Sequence, residues 1–399
     1  MTLSSLTYTP PIRRAQRAPK LDYELLELAT ELANSGKAKE SVQKVFEHLF
    51  PTTPIPDLAV ETFRFTQGSS RVTSKIEGDS LTISVPLVKL PSGGAAIAAL
   101  RYVLTKISGS GQLHQPRLRG DDIHLEFHDK LSRLHPAKVV EALRRMPATA
   151  DGNDDWLIGQ FGAAPLERES VLGLTDEEVA RAESVWRLHW QEVDELLKES
   201  QRKRSLFFLN ELTAYAVYRL QTTLPLCGFL SARINESAAT FNNSEEDPLK
   251  RETSLAKCLK DMSAVSSEDL KKSLGHVEYA LSPLADGTPQ VLSGYFGEVQ
   301  YMETIDKLRH SAKPMDGALA LACTFNYLLA RFSWPDVVRV ELQAGLAIAS
   351  EKAWRDAVGL MFDHAREIVA KYGEDADDDD EEEDDGDEDG EADEADADE

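Results

Sequence analysis

His124, Glu126 and His128 are the residues whose types and spacing best suit chemistry: they alternate with Ile123, Leu125 and Phe127 and follow Asp121 and Asp122. On a β-strand, side chains at i, i+2 and i+4 share one face, so the three polar groups form a row of the donors that a metal centre uses. Such neighbours stand parallel, about 7 Å apart, and converge poorly on one ion. The spacing therefore predicts a solvated strand face, with a metal-dependent enzyme as the alternative. Other catalytic arrangements are missing from the sequence. Gly36-Lys37 is followed by Ala38 and has no glycine five residues earlier, which excludes a phosphate loop. Gly93 with Gly94, and Gly109 with Gly111, lack the spacing of a dinucleotide fingerprint. No Gly-x-Ser-x-Gly, His-Glu-x-x-His or Cys-x-x-Cys occurs. No cofactor and no catalytic residue is expected.

The second chemical feature is electrostatic. Asp377, Asp378, Asp379, Asp380, Glu381, Glu382, Glu383, Asp384 and Asp385 lie in a run, residues 374–399, in which 20 of 26 residues are Asp or Glu and the others Ala or Gly. The run supplies 20 of the 25 net negative charges. It has nothing to bury and is expected to be a disordered tail that steers or shields a basic partner surface, or mimics nucleic acid, or only solubilises. At the other end Arg13, Arg14, Arg17 and Lys20 make residues 1–19 a basic, proline-containing extended arm. The two termini are expected to attract one another at low salt.

Hydrophobic periodicity supplies the elements that would position these groups. Residues 21–50 carry helical spacing, interrupted at Ser35-Gly36. Residues 59–65 read as a strand, and 71–87 as a hairpin turning at Glu77-Gly78-Asp79-Ser80. Ile97, Leu100, Val103, Leu104 and Ile107 share a helical stripe. A second hairpin, 113–119 with 123–127, flanks Gly120-Asp121-Asp122, and Pro136 opens another helix. The order is αβββαββα, with a five-stranded antiparallel sheet.

That order, carried by the two hairpins, the middle helix 95–107 and the stretch 120–127 leading into 134–140, resembles the type III secretion chaperone fold, also seen in YbjN-like bacterial proteins, over residues 20–148. The resemblance implies a small acidic cytoplasmic module that dimerises and holds an extended segment of another protein without hydrolysing anything.

At 399 residues and 42% hydrophobic, the chain is long enough for two domains. Cys227, Cys258 and Cys323 are widely spaced in apolar surroundings, which suits reduced thiols and a cytoplasmic location. No apolar run approaches the ~20 residues of a membrane span. Beyond residue 166 the period is helical. Thr175 with Glu178 is a capping box, and Val179, Ala182, Trp186, Val193, Leu196 and Leu197 follow on one face. A basic run, 201–204, separates this helix from one through Leu206 and Leu220, and a polar stretch spans 235–253. Further helices are predicted at 255–262, 268–274, 302–308, 317–331 and 335–372, the last divided near Ser350. A small hairpin is predicted from 276–281 and 290–292. Trp156, Trp186 and Trp190 are expected in packing, because no extended run of interleaved basic and aromatic residues surrounds them.

The fold class is thus α+β: a chaperone-like domain (20–165), a mostly α-helical domain (166–373) and the acidic tail (374–399). The function expected is a noncatalytic protein-binding adaptor or chaperone, with a possible homodimer, a protein partner that includes basic surface, and no membrane or direct nucleic-acid binding. The alternatives are a nucleic-acid mimic or assembly factor, and an enzyme with a metal site at His124, Glu126 and His128.

Overall fold

The computed structural model describes residues 5–16, 21–109, 111–169, 171–241 and 247–373. The tail carboxylates Asp377 to Asp385, with Arg17 and Lys20, lie outside the described residues.

Asp22 caps α1 (Tyr23–Asn34) by accepting from the Glu24 and Leu25 amides. Gly36 then takes φ 78°, a left-handed value that suits glycine, and the chain restarts as α2 (Ala38–Leu49). The interruption expected at Ser35-Gly36 thus separates two helices that pack together, tied by a buried bond from Ser41 Oγ to Ala29 O at 2.7 Å. The expected strand at 59–65 begins later, as β1 (Phe63–Gln67), because the Asp57 side chain holds the Ala59 amide in a turn at 2.9 Å. β2 (Ser70–Glu77) and β3 (Ser80–Lys89) form the expected hairpin.

After β3, α3 (Gly94–Tyr102) widens into a π-helical turn at Val103–Ile107, where the Ser108 amide reaches Val103 O at 3.0 Å. That extra residue rotates the stripe. Ala99, Val103 and Ile107 are buried, whereas Ile97 and Leu104, expected on the same face, are exposed. β4 (Gln115–Arg119) and β5 (Asp122–Lys130) follow, then α4 (Pro136–Asp151), α5 (Asp154–Phe161) and the short β6 (Ala164–Pro165).

The sheet runs β1-β2-β3-β5-β4, antiparallel throughout, with β6 added to the end of β3. Val72, Ile76, Leu81, Ile83, Val85, Leu125 and Phe127 fill one face and join Val42, Phe46, Val139, Leu143 and Met146 of α2 and α4 in one core.

The second half is helical. The capping box opens α6 (Asp176–Lys203): Glu178 N donates to Thr175 Oγ1 at 3.2 Å and Thr175 N to Glu178 Oε2 at 2.8 Å. The basic run expected to end this helix lies mostly inside it, and Arg204, at φ 52°, makes the stop. α7 (Leu206–Thr223) is buried along most of its length and packs on α13 (Pro314–Arg331) at the centre of the second core. α8 (Gly228–Phe241) begins ahead of the expected polar stretch and runs into it, because Leu230, Ile234 and Ser237 face inward at helical spacing. The remaining helices are α9 (Pro248–Ser263), α10 (Ser267–Lys272), α11 (Pro289–Leu292), α12 (Val299–His310), α14 (Asp336–Ala349) and α15 (Trp354–Tyr372).

The hairpin expected from 276–281 and 290–292 is not formed. His276 bridges to Leu172 and Tyr279 to Gln67, Pro289 starts α11, and β7 (Ala285–Asp286) pairs in parallel with β8 (Phe332–Ser333).

Within the N-terminal arm, residues 5–16 form neither helix nor strand and pack on the helical half. Leu6 and Ile12 are buried in the second core. Ile12 N donates to Thr223 O at 2.8 Å, and Glu351 N donates to Leu6 O at 2.8 Å. Beneath the arm, the buried carboxylate of Glu192 accepts from Tyr215 OH and Arg219 Nη1, each at 2.7 Å, and from Thr7 N at 3.2 Å. Arg219 Nη2 also donates to Thr7 O at 2.5 Å. Arg219→Ala leaves that carboxylate buried without its cation and is expected to cost about 3–5 kcal/mol, read as a lowered urea midpoint. An unchanged midpoint would show that the Tyr215 and Thr7 bonds suffice.

Candidate functional site

The strand register decides what surrounds the histidine row. β5 sets His124, Glu126 and His128 on the face opposite the first core, beside Thr82 and Ser84 of β3 and Gln115 and Arg117 of β4. The same face carries Arg64, Arg71, Thr73 and Lys75 through the alternation of β1 and β2. Arg64, Arg71, Arg117, Arg119 and His128 are exposed, so the face is open to water.

The three candidate ligands look to different neighbours. His128 Nδ1 lies 2.9 Å from Thr82 Oγ1, His124 Nδ1 3.5 Å from Ser84 Oγ, and Glu126 pairs with Arg119, with Arg117 Nε at 3.8 Å. Burial, with the charge of Arg119, holds His124 below the ordinary histidine value. Among the described residues no group of three His, Cys, Asp or Glu side chains is arranged to hold a metal ion.

A second polar cluster escaped the sequence reading. The tight turn between β1 and β2, Gly68-Ser69, lies on the junction of α4 and α5. Ser69 N donates to Asp151 Oδ1 at 2.6 Å, and Ser69 Oγ to Asp154 Oδ2 at 2.8 Å. Arg168 Nε lies 3.1 Å from Asp154 Oδ2 and its Nη1 pairs with Asp155. Gly68, at φ 63°, would place a Cβ 2.6 Å from the Asp151 carboxylate, and a Cβ on Gly228 would strike Asp155. Both positions therefore exclude side chains. Burial pushes Asp154 up to about 7 and Cys227 up to about 12, and it raises Asp151 as well, while Arg168 opposes the rise at both carboxyls. The available signal was the run 151–155, Asp-Gly-Asn-Asp-Asp, set between two apolar helices.

This cluster joins the two halves. Gln67 Nε2 donates to Leu281 O at 2.7 Å and Leu281 N donates to Gln67 Oε1 at 2.9 Å, while Gly68 N reaches Glu278 O at 3.1 Å. Leu281 sinks into the first core, and Trp156 stacks on Phe229 with centroids 4.4 Å apart. The end of the edge strand β1 is thereby covered by the chain's own segment 278–281. The other edge, β4, carries Pro116, which has no amide hydrogen, and exposed Arg117 and Arg119, features that discourage strand addition. The three cysteines are free thiols, with Cys227 and Cys323 buried. No helix among the described residues is long and apolar enough to cross a membrane.

Two outcomes are expected. The unfolded carboxyl of an aspartate sits near ~3.9, and the folded value for Asp154, about 7, lies above it. The folded chain thus takes up this proton first, so the stability linked to Asp154 is lowest above its folded value and grows as pH falls toward ~4. The urea midpoint of the native chain is expected to rise relative to that of Asp154→Asn between about pH 8 and pH 6. Parallel pH profiles would remove Asp154 from the account. Replacing His124 and His128 together by Gln is expected to change stability by no more than about 0.5 kcal/mol, as on a solvated face. A stoichiometric metal in the native chain that the double variant loses would overturn this.

No protein-family model matches this chain, and no curated protein matches it.

Proposed function

We propose that this is a noncatalytic binding protein, an adaptor or chaperone-like factor, that holds a partner protein against the open face of its six-stranded sheet. What supports the reading is the charge of that face. An acidic chain turns Arg64, Arg71, Lys75, Arg117 and Arg119 to one side of a sheet whose strands place Glu77, Asp122 and Glu126 beside them. Charges beyond about 8 Å are screened at physiological salt, so a docking segment meets this local row more than the net charge of the chain. The segment that fits is one with carboxylates spaced to meet guanidinium groups, which bind them in two-pronged geometry.

The order of helices and strands in the N-terminal half resembles the type III secretion chaperone fold, whose members work by holding partner segments. A cytoplasmic homodimer formed through this half belongs to the same proposal. So does a role for residues 374–399 in steering or shielding basic surface on the partner.

Affinity capture from the native host with the full chain, followed by mass spectrometry, is expected to recover a protein that binds Arg64→Glu/Arg117→Glu at least tenfold more weakly. Both sites are exposed, so the thermal midpoint should be unchanged. Equal capture by the charge-reversed chain would remove the sheet face from the interface. Recovery of nucleic acid alone would overturn the reading.

A further inference from the structure

Beneath the N-terminal arm, between the end of α7, the start of α8 and the segment 275–284, lies a cavity of about 400 Å³. Three guanidinium groups line it, those of Arg13, Arg14 and Arg331. The lining includes one carboxylate, that of Glu278, which is exposed at the rim.

Arg13 is the informative member. It donates to the Gln221 carbonyl at 2.5 Å and to Gln16 Oε1 at 2.8 Å, both neutral acceptors. Burial lowers its pKa from the ordinary arginine value, with Tyr279 opposing. A guanidinium withdrawn from water without a carboxylate is costly, and cations so placed are normally paired. Arg14 and Arg331, both exposed, add charge of the same sign instead of neutralising it.

Two polar residues of the cavity wall have buried atoms without hydrogen-bond partners. Gln221 donates through Nε2 to Asn235 Oδ1 at 2.5 Å, but its buried Oε1 receives no hydrogen bond. His276, on the same wall, has a buried Nε2 without a hydrogen bond, 3.7 Å from Glu178 Oε1. The arginines answer a phosphate group, and the neutral polar residues Gln221, Ser231 and Asn235 of the lining offer contacts to the rest of a larger molecule. The volume falls in the range of small-molecule sites and exceeds what a single phosphate fills.

We infer that this cavity binds a phosphorylated small molecule of sugar-phosphate size, with the phosphate held by Arg13, Arg14 and Arg331. The site lies apart from the sheet face and its test is independent of that reading.

The probes are ribose 5-phosphate and inorganic phosphate, titrated calorimetrically into the full chain. Ribose 5-phosphate is expected to bind at one saturable site, and inorganic phosphate to compete for it at least tenfold more weakly. Arg14→Gln/Arg331→Gln, at exposed positions that spare the fold, should weaken ribose 5-phosphate at least tenfold, and Arg13→Gln should do the same. Arg64→Gln/Arg117→Gln, on the sheet face, should leave it unchanged. Absence of saturable binding by either probe up to about 10 mM would overturn the assignment, as would binding indifferent to the cavity arginines. A synthetic peptide of residues 374–399 that displaced ribose 5-phosphate at lower concentration than phosphate does would assign the cavity to the acidic tail instead.

Discussion

Gln67 and Leu281 exchange two hydrogen bonds at a place where neither partner has water to fall back on, and the arrangement of the two halves depends on it. Both residues are buried, and an unmet amide group there would cost roughly 1–3 kcal/mol. The pairing therefore admits one register between β1 and the segment 278–281. That register lays the segment beside the turn where Gly68 meets Asp151 and Ser69 meets Asp154, and drops Leu281 into a core otherwise built by residues 29–163. The helical half is thus keyed to the sheet by polar geometry, with Trp156 on Phe229 adding apolar area beside it.

The same segment forms a wall of the arginine-lined cavity. Tyr279 lies between two charges of opposite sign: burial raises its hydroxyl pKa, the charge of Asp151 raises it further, and that of Arg13 lowers it. A displacement of 275–279 would alter both the wall of the cavity and the bonds on β1. Site and seam share one piece of backbone. The carboxylates on one side and the arginines on the other are also kept from neutralising each other directly, since Arg168 pairs with Asp154 and Asp155 while Arg13 is held by Gln16 and Gln221.

What the sequence made legible follows the range of the interactions involved. The hairpins, the stop at Gly36, the capping box at Thr175 and the helix start at Pro136 are local effects, written in a few adjacent residues, and each lies where the spacing predicts. The π-turn at Val103–Ile107 escapes a reading based on 3.6-residue periodicity, because one extra residue per turn moves Ile97 and Leu104 off the buried face. The hairpin expected across 286–289 fails for another reason. Its residues have the right local types, but their backbone groups are claimed by Leu172, Gln67 and Ser333, all distant in the chain. The row His124, Glu126 and His128 was legible as a strand face, whereas Asp151, Asp154 and Arg13 acquire their character only from burial by segments that a local pattern cannot identify.

Charge sets the remaining constraint. Cationic groups line both the outer sheet face and the cavity beneath the arm, and the two sets differ in how they are compensated. On the sheet, Arg119 and Arg71 have carboxylate partners in Glu126 and Glu169, so the face is stable without a ligand and any partner must exchange one set of ion pairs for another. Such exchange favours selectivity over tightness, because the desolvation of each paired charge offsets much of the new contact. In the cavity, Arg13 is bonded only to neutral acceptors, and an anion placed there gains attraction without first breaking an ion pair. The half-buried arginine is kept in that position by Leu6 and Ile12, whose packing holds the arm, and with it Arg13, against the helical core.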